Sequence, residues 1–304
     1  MRTRLGRVGL LTLLALMPLA GAQAASGLSQ GEHIYRLAGC ENCHTDRDHH
    51  GALLAGGRKM ATPLGTFYTP NITPDPDTGI GKWSESDFKR ALRQGKSPTG
   101  SNYYPSFPYA SYSQLSDEDI HALWGYLHAQ KPVHQANKPH ELPWYLRFRW
   151  TLTIWKWLYF TPGPYQLEAG KSSEWNRGAY LVKGAAHCSE CHTPRNLLGG
   201  FKSGQYLAGI TEGPDGFLVP NITPDRQFGI GKWSQGDIVQ YLETGLQPDG
   251  DSAGCLMAEV IDNGLKFLPV DDLRAIAVYL KDQPAVANPV SKAKKKKAKS
   301  DADY

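Results

Sequence analysis

The chain has 304 residues and a mass of 33.5 kDa, a length typical of two domains. Hydrophobic residues make up 40% of the sequence and charged residues 20%, which excludes a disordered or collagen-like protein. The net charge of +4 comes from the two ends, because three arginines precede residue 8 and six lysines lie in 292–299. The remainder is slightly acidic, so we expect no nucleic-acid partner.

Residues 1–24 have the pattern of a secretory signal peptide. Three arginines precede an apolar run and an Ala-Gln-Ala cleavage pattern, at positions 2, 4 and 7, at 8–20 and at 22–24. An uncleaved anchor is the alternative, but the apolar run is short for a bilayer span. We therefore predict export of a mature chain that begins at Ala25. The predicted location is the periplasm, either free or peripheral on the inner membrane.

Four of the five cysteines lie in two Cys-x-x-Cys-His patterns, at 40–44 and 188–192. In c-type haem attachment, two thiols at this spacing form thioethers with one porphyrin, and the next histidine lies beneath the iron. A redox CxxC pair or a zinc site would not explain a histidine after each pair. The sequence therefore predicts two covalently bound haem c groups. Their attachment residues are Cys40, Cys43, Cys188 and Cys191, and their proximal iron ligands are His44 and His192.

A repeat with an offset of 150 residues frames both patterns. The segment Pro-Asn-Ile-Thr-Pro-Asp begins at 70 and again at 220, and Gly-Ile-Gly-Lys-Trp-Ser begins at 79 and again at 229. Each copy predicts a helix that ends in the haem-binding turn, a short amphipathic helix and a longer closing helix after an acidic turn. These helices are expected at 29–40, 85–94 and from 116, and at 174–188, 235–243 and from 271.

The repeat predicts an all-α fold with two haem domains. We place the signal peptide at 1–24, domain 1 at 25–132, an aromatic-rich linker at 133–173, domain 2 at 174–286 and a basic disordered tail at 287–304.

These motifs and the terminal helix at 272–280 resemble the di-haem and multi-haem c-type cytochromes related to the cytochrome c subunit of membrane-bound alcohol and gluconate dehydrogenases. The resemblance covers residues 29–284 apart from the linker. Those proteins carry three haem modules, whereas this chain has two. The resemblance implies two tandem class I cytochrome c domains. It also implies single-electron transfer from a dehydrogenase donor to an oxidase or soluble carrier of the respiratory chain.

The distal iron ligands are predicted to differ between the two haems. Methionine is a common distal ligand, and beyond the signal peptide only Met60 and Met257 remain. Met257 lies where the resemblance places the distal ligand of the second haem. The repeat offset places Phe107 at the equivalent first position, and phenylalanine cannot ligate iron. The first haem is therefore open or water-bound, or is ligated by Met60, His121 or His128.

The linker and the tail could also reach partners outside the chain. Four of the eight tryptophans and three cations lie within 144–160, too short and too charged a run to span a membrane. One interpretation is an interfacial helix on a membrane or a membrane-bound partner. We favour a helix whose aromatic side chains are buried between the domains. The lysine-rich tail is either a solvated segment or docks on anionic lipid or an acidic partner.

Three classes of function remain open at this point. The preferred one is an electron-transfer protein. The alternative is a di-haem enzyme, a peroxidase or a thiosulfate-oxidising dehydrogenase, that uses an open first haem, although no acid and base pair is recognisable near Cys40 to His44. A gas-binding sensor is the third. The remaining cysteine, Cys255, is predicted to be a buried inert thiol, with a redox-active axial thiolate as the alternative.

Overall fold

The computed structural model describes residues 28–62, 64–213 and 216–290. The predicted signal peptide and the lysine-rich segment 292–299 lie outside these residues. The described chain is rich in helix and contains a two-stranded antiparallel sheet. The helices are α1 (Gln30–Leu37), α2 (Cys40–His44), α3 (Glu85–Gln94), α4 (Tyr109–Tyr112), α5 (Asp117–His128), α6 (Thr151–Tyr159), α7 (Ser173–Lys183), α8 (Cys188–His192), α9 (Gln235–Thr244), α10 (Cys255–Asn263) and α11 (Val270–Lys281); the strands are β1 (Lys59–Thr62) and β2 (Gly65–Tyr68).

The amphipathic helices form where the repeat predicts them, as α3 and α9. Each begins at a capping box in which a serine and the aspartate three residues later bond to each other's backbone, Ser84 with Asp87 and Ser234 with Asp237. Each ends at a glycine with left-handed backbone, Gly95 (φ 61°) or Gly245 (φ 77°). Local chemistry therefore explains both boundaries.

In each half of the chain, residues 28–143 and residues 173–290, the first and last helices cross at a glycine. Helix α1 packs on α5, and α7 packs on α11. A Cβ atom at Gly31 would lie 2.2 Å from the carbonyl oxygen of Ala122, and one at Gly178 would lie 1.9 Å from that of Ala275. Both crossings therefore require glycine, since any side chain would push the backbones apart.

A continuous hydrophobic core joins the N-terminal half (residues 28–143) to the C-terminal half (residues 173–290). Fully buried members come from both, including Ile34 and Leu115 in the first and Leu181 and Leu273 in the second. The two halves thus pack directly against each other.

Two aspartates near the starts of the closing helices α5 and α11 tie the halves together. Each is buried and contacts one polar side chain of its own half and one of the other half. Asp119 accepts from Gln30 of its own half at 2.8 Å and from Tyr180 of the other half. Asp272 bonds to Arg177 of its own half at 2.7 and 2.8 Å and to His33 of the other half at 2.7 Å. The same contact pattern recurs on both sides of the interface.

The β-hairpin is an exception to the predicted all-α fold. In its register Met60 pairs with Phe67, and strand partners directly opposite each other share a face of the sheet. At the corresponding place, the described residues of the C-terminal half form an isolated bridge between Ile210 and Val219. The hairpin lies outside the repeated segments, so the repeat does not predict it.

The prediction that the linker aromatics are buried between the domains is wrong. Trp144, Trp150 and Trp157 are 72%, 66% and 82% exposed, and Trp155 is half-buried. Trp155 contacts both halves, since its ring centroid lies 6.4 Å from that of Tyr109 and its indole nitrogen donates to the Leu198 carbonyl oxygen at 2.9 Å. None of the helices in the described ranges combines the length and apolar character that crossing a membrane requires.

Candidate haem-binding sites

Each Cys-x-x-Cys-His pattern forms a five-residue helix, α2 or α8. Residues three and four apart lie on one face of a helix, so the two cysteines and the histidine of each pattern point the same way. The residue before each helix has a left-handed backbone, Gly39 with φ 59° and His187 with φ 38°. The left-handed residue changes the direction of the chain. In the first half it separates α1 from the haem-binding turn α2, and in the second half it separates the turn after α7 from α8. It also divides each predicted long first helix into two.

The two histidines predicted as proximal ligands, His44 and His192, are held in the same way. The Nδ1 atom of His44 donates to the carbonyl oxygen of Pro70 at 2.7 Å, and that of His192 donates to Pro220 at 2.8 Å. Because a carbonyl only accepts, the proton lies on Nδ1 and the lone pair of Nε2 is free for a metal. Burial lowers the pKa of both imidazoles despite this hydrogen bond, which favours the neutral ligand form.

The repeated Pro-Asn-Ile-Thr segment supplies that carbonyl and is itself fixed. The buried asparagine accepts from the threonine backbone and hydroxyl two residues later, and its amide donates to the chain beyond the closing helix. The residues are Asn71 with Thr73 and Val133 O (2.8 Å), and Asn221 with Thr223 and Val286 O (2.8 Å). The sequence alone indicates no role for this repeat. Its position at a near-constant distance after each histidine is the signal that could have revealed one.

Two glycines bring the chain close to the proximal histidines. Gly56 and Gly209 each donate from the backbone to the carbonyl oxygen of His44 or His192, at 2.7 Å in both cases. Their φ angles are 75° and 79°, and a Cβ atom would come within 2.4 Å of Pro70 or 2.6 Å of Pro220. Glycine is therefore required where the backbone passes between the histidine and the repeated segment.

The four motif cysteines are free thiols in this structure. Burial raises the pKa of Cys40 and Cys188 to about 12 and that of Cys191 to about 11, and it also raises the pKa of Cys43. Redox-active CxxC pairs instead have a lowered thiol pKa. Among the described residues, no three His, Cys, Asp or Glu side chains cluster as metal ligands. The thiols and the free Nε2 atom of each turn fit a c-type haem.

The two predicted distal positions differ in chemistry and lie in equivalent parts of the fold. Met257 lies in the first turn of α10 and is partly buried against the core. Phe107 precedes α4, and its ring packs on the rings of Tyr103 and Tyr112, with centroids 5.6 and 5.7 Å apart. Phe107 is thus part of an aromatic cluster at the position where the second half has Met257.

Met60 lies on the inward face of the hairpin. Its cross-strand partner Phe67 is buried and packs edge-on against Tyr104 and His140, at centroid distances of 5.4 and 5.2 Å. Tyr104 belongs to the same segment as Phe107, so β1 and the first distal segment adjoin the same cluster. Met60 therefore lies on the same side of the hairpin as Phe67, the side that packs against Tyr104 and His140.

The histidines considered as first-haem ligands lie on α5 with other contacts. His121 is exposed, and its Nδ1 atom lies 3.0 Å from a carboxylate oxygen of Glu85. The ring of His128 packs on the ring of Trp124, with centroids 3.5 Å apart. Neither contact directs an imidazole toward the haem-binding turn.

The haem-binding turn of each half contacts the distal region of the other half. Asn263 at the end of α10 donates to Asn42 in α2 at 2.8 Å. In the equivalent contact, Ser111 in α4 donates to Glu190 in α8 at 3.1 Å. Proximity between Cys43 and Cys191 contributes to the raised pKa of Cys191. The two turns therefore lie side by side across the interface between the halves.

The prediction that Cys255 is a buried thiol is wrong. Cys255 is exposed at the first position of α10, with a left-handed backbone at φ 51°. The motif cysteines are shielded by the packing of their turns, whereas Cys255 follows a glycine-containing loop at the surface.

Curated proteins similar to this chain are c-type cytochromes. A diheme c-type cytochrome of Cereibacter sphaeroides is 44% identical over 261 residues, which cover 85% of this chain and 86% of that protein. The gluconate 2-dehydrogenase cytochrome c subunit of Pantoea cypripedii and the fructose dehydrogenase cytochrome subunit of Gluconobacter japonicus are each 41% identical, over 88% and 89% of this chain.

The chain spans 62% of the length of the gluconate dehydrogenase subunit and 55% of the fructose dehydrogenase subunit. No protein-family model matches it. The identity to the Cereibacter sphaeroides protein extends over most of both chains, and both Cys-x-x-Cys-His patterns form helical turns whose histidine donates to a proline carbonyl. The chain therefore belongs to the family of dihaem c-type cytochromes.

Proposed function

We propose that this protein carries two covalently bound haem c groups in two tandem class I cytochrome c domains, 25–132 and 174–286. Cys40, Cys43 and His44 hold the first haem; Cys188, Cys191 and His192 hold the second. The aromatic-rich segment 133–173 joins the domains. The observation that carries this proposal is the matched hydrogen bond from each proximal histidine to a proline carbonyl, at 2.7 and 2.8 Å.

The protein's contribution is to hold each iron ligand in place and to control what surrounds it. A bound haem c supplies one-electron exchange between the ferric and ferrous states. The Pro70 and Pro220 carbonyls fix the tautomer and orientation of His44 and His192, and such outer partners also increase ligand basicity. Met257 is the proposed distal ligand of the second haem. For the first haem, Met60 and an open position are the leading alternatives.

The proposed role is to carry single electrons from a dehydrogenase to an oxidase or a soluble carrier of the respiratory chain. Support for a dehydrogenase donor comes from relatives that are named as cytochrome subunits of gluconate, fructose and alcohol dehydrogenases. We propose a periplasmic location on the basis of the signal-like residues 1–24. The adjacent haem-binding turns would allow electrons to pass between the two haems within one chain.

The haem content of the purified protein tests this proposal. Mass spectrometry of the denatured protein should show two haems per chain. The Cys188→Ala, Cys191→Ala variant should retain one haem, because thioether attachment at α8 is lost. The Cys255→Ala variant is the matched control and should keep both. A wild-type chain with fewer than two haems would contradict the proposal.

The runner-up is a di-haem enzyme that uses an open first haem, and the presence of Phe107 in place of a ligand favours it. Ferrous spectra with and without carbon monoxide show whether the first haem is open, and turnover assays with peroxide or thiosulfate separate the two functions. An electron carrier with two six-coordinate haems should show no spectral change. Carbon monoxide binding together with turnover of peroxide or thiosulfate would instead support the enzyme.

A further inference from the structure

The connecting segment carries an exposed apolar surface that the electron-transfer role does not use. Along α6 and the residue before it, the apolar side chains at 150, 154, 157 and 158 follow the spacing of one helix face, and all are exposed. We call this surface and its neighbours the aromatic face; it comprises Trp144, Tyr145, Phe148, Trp150, Ile154, Trp157, Leu158, Leu197 and Leu198. Exposed apolar clusters of this size mark interaction sites.

The opposite side of the same segment is firmly attached to the protein. The ammonium group of Lys156 donates to the carbonyl oxygens of Gln94 and Gly95 at the end of α3, both at 2.8 Å, and to Asn102. Arg149 donates to the Asn102 carbonyl at 3.0 Å. Arg149 and Lys156 are thus bonded within the protein, and they hold the tryptophan-bearing side outward.

A turn from the C-terminal half extends the aromatic face. The indole nitrogen of Trp155 donates to the carbonyl oxygen of Leu198 at 2.9 Å. Leu197 and Leu198, at the tip of the turn 196–200, are 102% and 65% exposed. Two elements that lie about 40 residues apart in sequence therefore present leucine and tryptophan side chains on one side of the molecule.

The segments that carry the aromatic face are predominantly positive, although Glu141 and Glu190 lie directly beside them and Glu190 pairs with Arg195. Segments 142–167 and 191–211, which build it, contain five Lys and Arg residues and no Asp or Glu. Of these cations, Arg147 and Lys202 are exposed. Within these segments no carboxylate repels anionic headgroups, and exposed cations near a membrane attract them.

We propose that the aromatic face inserts into the headgroup region of an anionic phospholipid bilayer and holds the cytochrome peripherally on the membrane. Tryptophan and tyrosine prefer this depth, and a short helix with an apolar outer side lies in the interface plane. Protein interfaces need about one hydrogen bond per 100–200 Å², yet the aromatic face offers only indole N–H groups and one phenol. A bilayer requires no directional partner, so the observations favour lipid.

Vesicle flotation of the full-length haem-loaded protein tests the proposal. The probe is a vesicle of phosphatidylethanolamine and phosphatidylglycerol, and haem absorbance reports the bound fraction. The Trp150→Gln, Trp157→Gln, Leu197→Gln variant should bind about tenfold more weakly or worse, because partitioning scales with the apolar area buried. The control variant Leu53→Gln, Leu246→Gln, Val270→Gln alters exposed apolar residues outside these segments and should bind like the wild type.

Salt distinguishes apolar insertion from attraction by the lysine-rich tail. In about 1 M salt electrostatic attraction is screened within about 3 Å, so wild-type binding that persists and is lost in the face variant supports the proposal. Wild-type protein that does not float with vesicles overturns it. Equal binding by both variants, released by salt, also overturns it and assigns membrane binding to the tail. Haem content and melting temperature establish that each variant is folded. Wild-type protein without covalent haem would contradict the proposed function and leave the membrane test to be read from the fraction of protein bound to vesicles.

Discussion

One methionine carries most of the predicted difference between the two haems. Met257 and Phe107 occupy positions related by the repeat offset, but only a thioether can bind iron. The phenylalanine ring is held by neighbouring aromatic rings, so the first distal position is built differently from the second.

Replacement of Met257 by alanine should convert the second haem to high spin and lower its reduction potential. The loss of a neutral sulfur ligand removes the stabilisation of the ferrous state. The oxidised protein should then lose the sulfur-to-iron charge-transfer band, and potentiometric titration should show one shifted potential. An unchanged band would refute the assignment of Met257.

The first haem should differ from the second in spin state or ligand. Electron paramagnetic resonance of the oxidised wild type should show one high-spin and one low-spin signal if the first distal position is open. If Met60 is the ligand, the wild type should show two low-spin signals and Met60→Ala should convert one to high spin. Two identical low-spin His/Met signals that persist in Met60→Ala would rule out both arrangements.

At the level of helices, close backbone contact joins the first and last elements of each half. The crossing at Gly178 leaves no space for a methyl group, since a Cβ atom there would lie 1.9 Å from the Ala275 carbonyl oxygen. Gly125, in the interior of α5, has no heavy atom within 4 Å of its Cβ position and is exposed. A side chain at Gly178 would therefore clash with α11, whereas a side chain at Gly125 would point into open space.

Gly178→Ala should lower the free energy of unfolding by about 3 kcal/mol, because α7 and α11 must move apart. Gly125→Ala should raise it by about 0.5–1 kcal/mol through improved helix propensity. Urea denaturation followed by far-ultraviolet circular dichroism measures both. A stability loss shared equally by the two variants would mean that the helix crossing is not the cause.

Across the whole molecule, the two halves share one hydrophobic core and a duplicated pair of aspartate contacts. Asp272 is the more strongly ionic of the two, because it bonds to Arg177 of its own half and to His33 of the other half. Burial raises its pKa, but the bonds from His33 and Arg177 outweigh burial and lower the pKa from 3.8 to about 2. Its charge therefore stabilises the folded state.

A lowered carboxyl pKa adds stability above the unfolded pKa and loses it as the pH falls through the folded one. For Asp272 that window runs from about pH 4 down to about pH 2 and corresponds to about 2 kcal/mol. Asp272→Asn should thus destabilise the protein at about pH 6 and much less at about pH 2. Urea unfolding at both pH values measures the difference.

Asp262→Asn is the control for this experiment, because it removes an exposed ion pair with Lys266. Its effect should stay within about 0.5 kcal/mol at either pH. A penalty for Asp272→Asn that does not change with pH would mean that packing, and not charge, makes Asp272 important.

The boundaries of α3 and α9 and the start of α5 were predictable because they follow from interactions within a few residues. Thiols three apart and a histidine next to the second share one helix face, and capping serines with glycines at helix ends act over one turn. The repeat located the second copy of each element at the same offset. Cofactor class and helical content are therefore local properties of this chain.

Features that join distant segments needed the tertiary structure. The role of Pro70 depends on a contact with His44 across 26 positions, and the exposure of Trp157 depends on the two halves packing directly together. Periodicity shows that a side is apolar but not what covers it. The sequence predicts the haem ligands because their chemistry is local, whereas only the fold decides which apolar surfaces meet each other and which meet solvent.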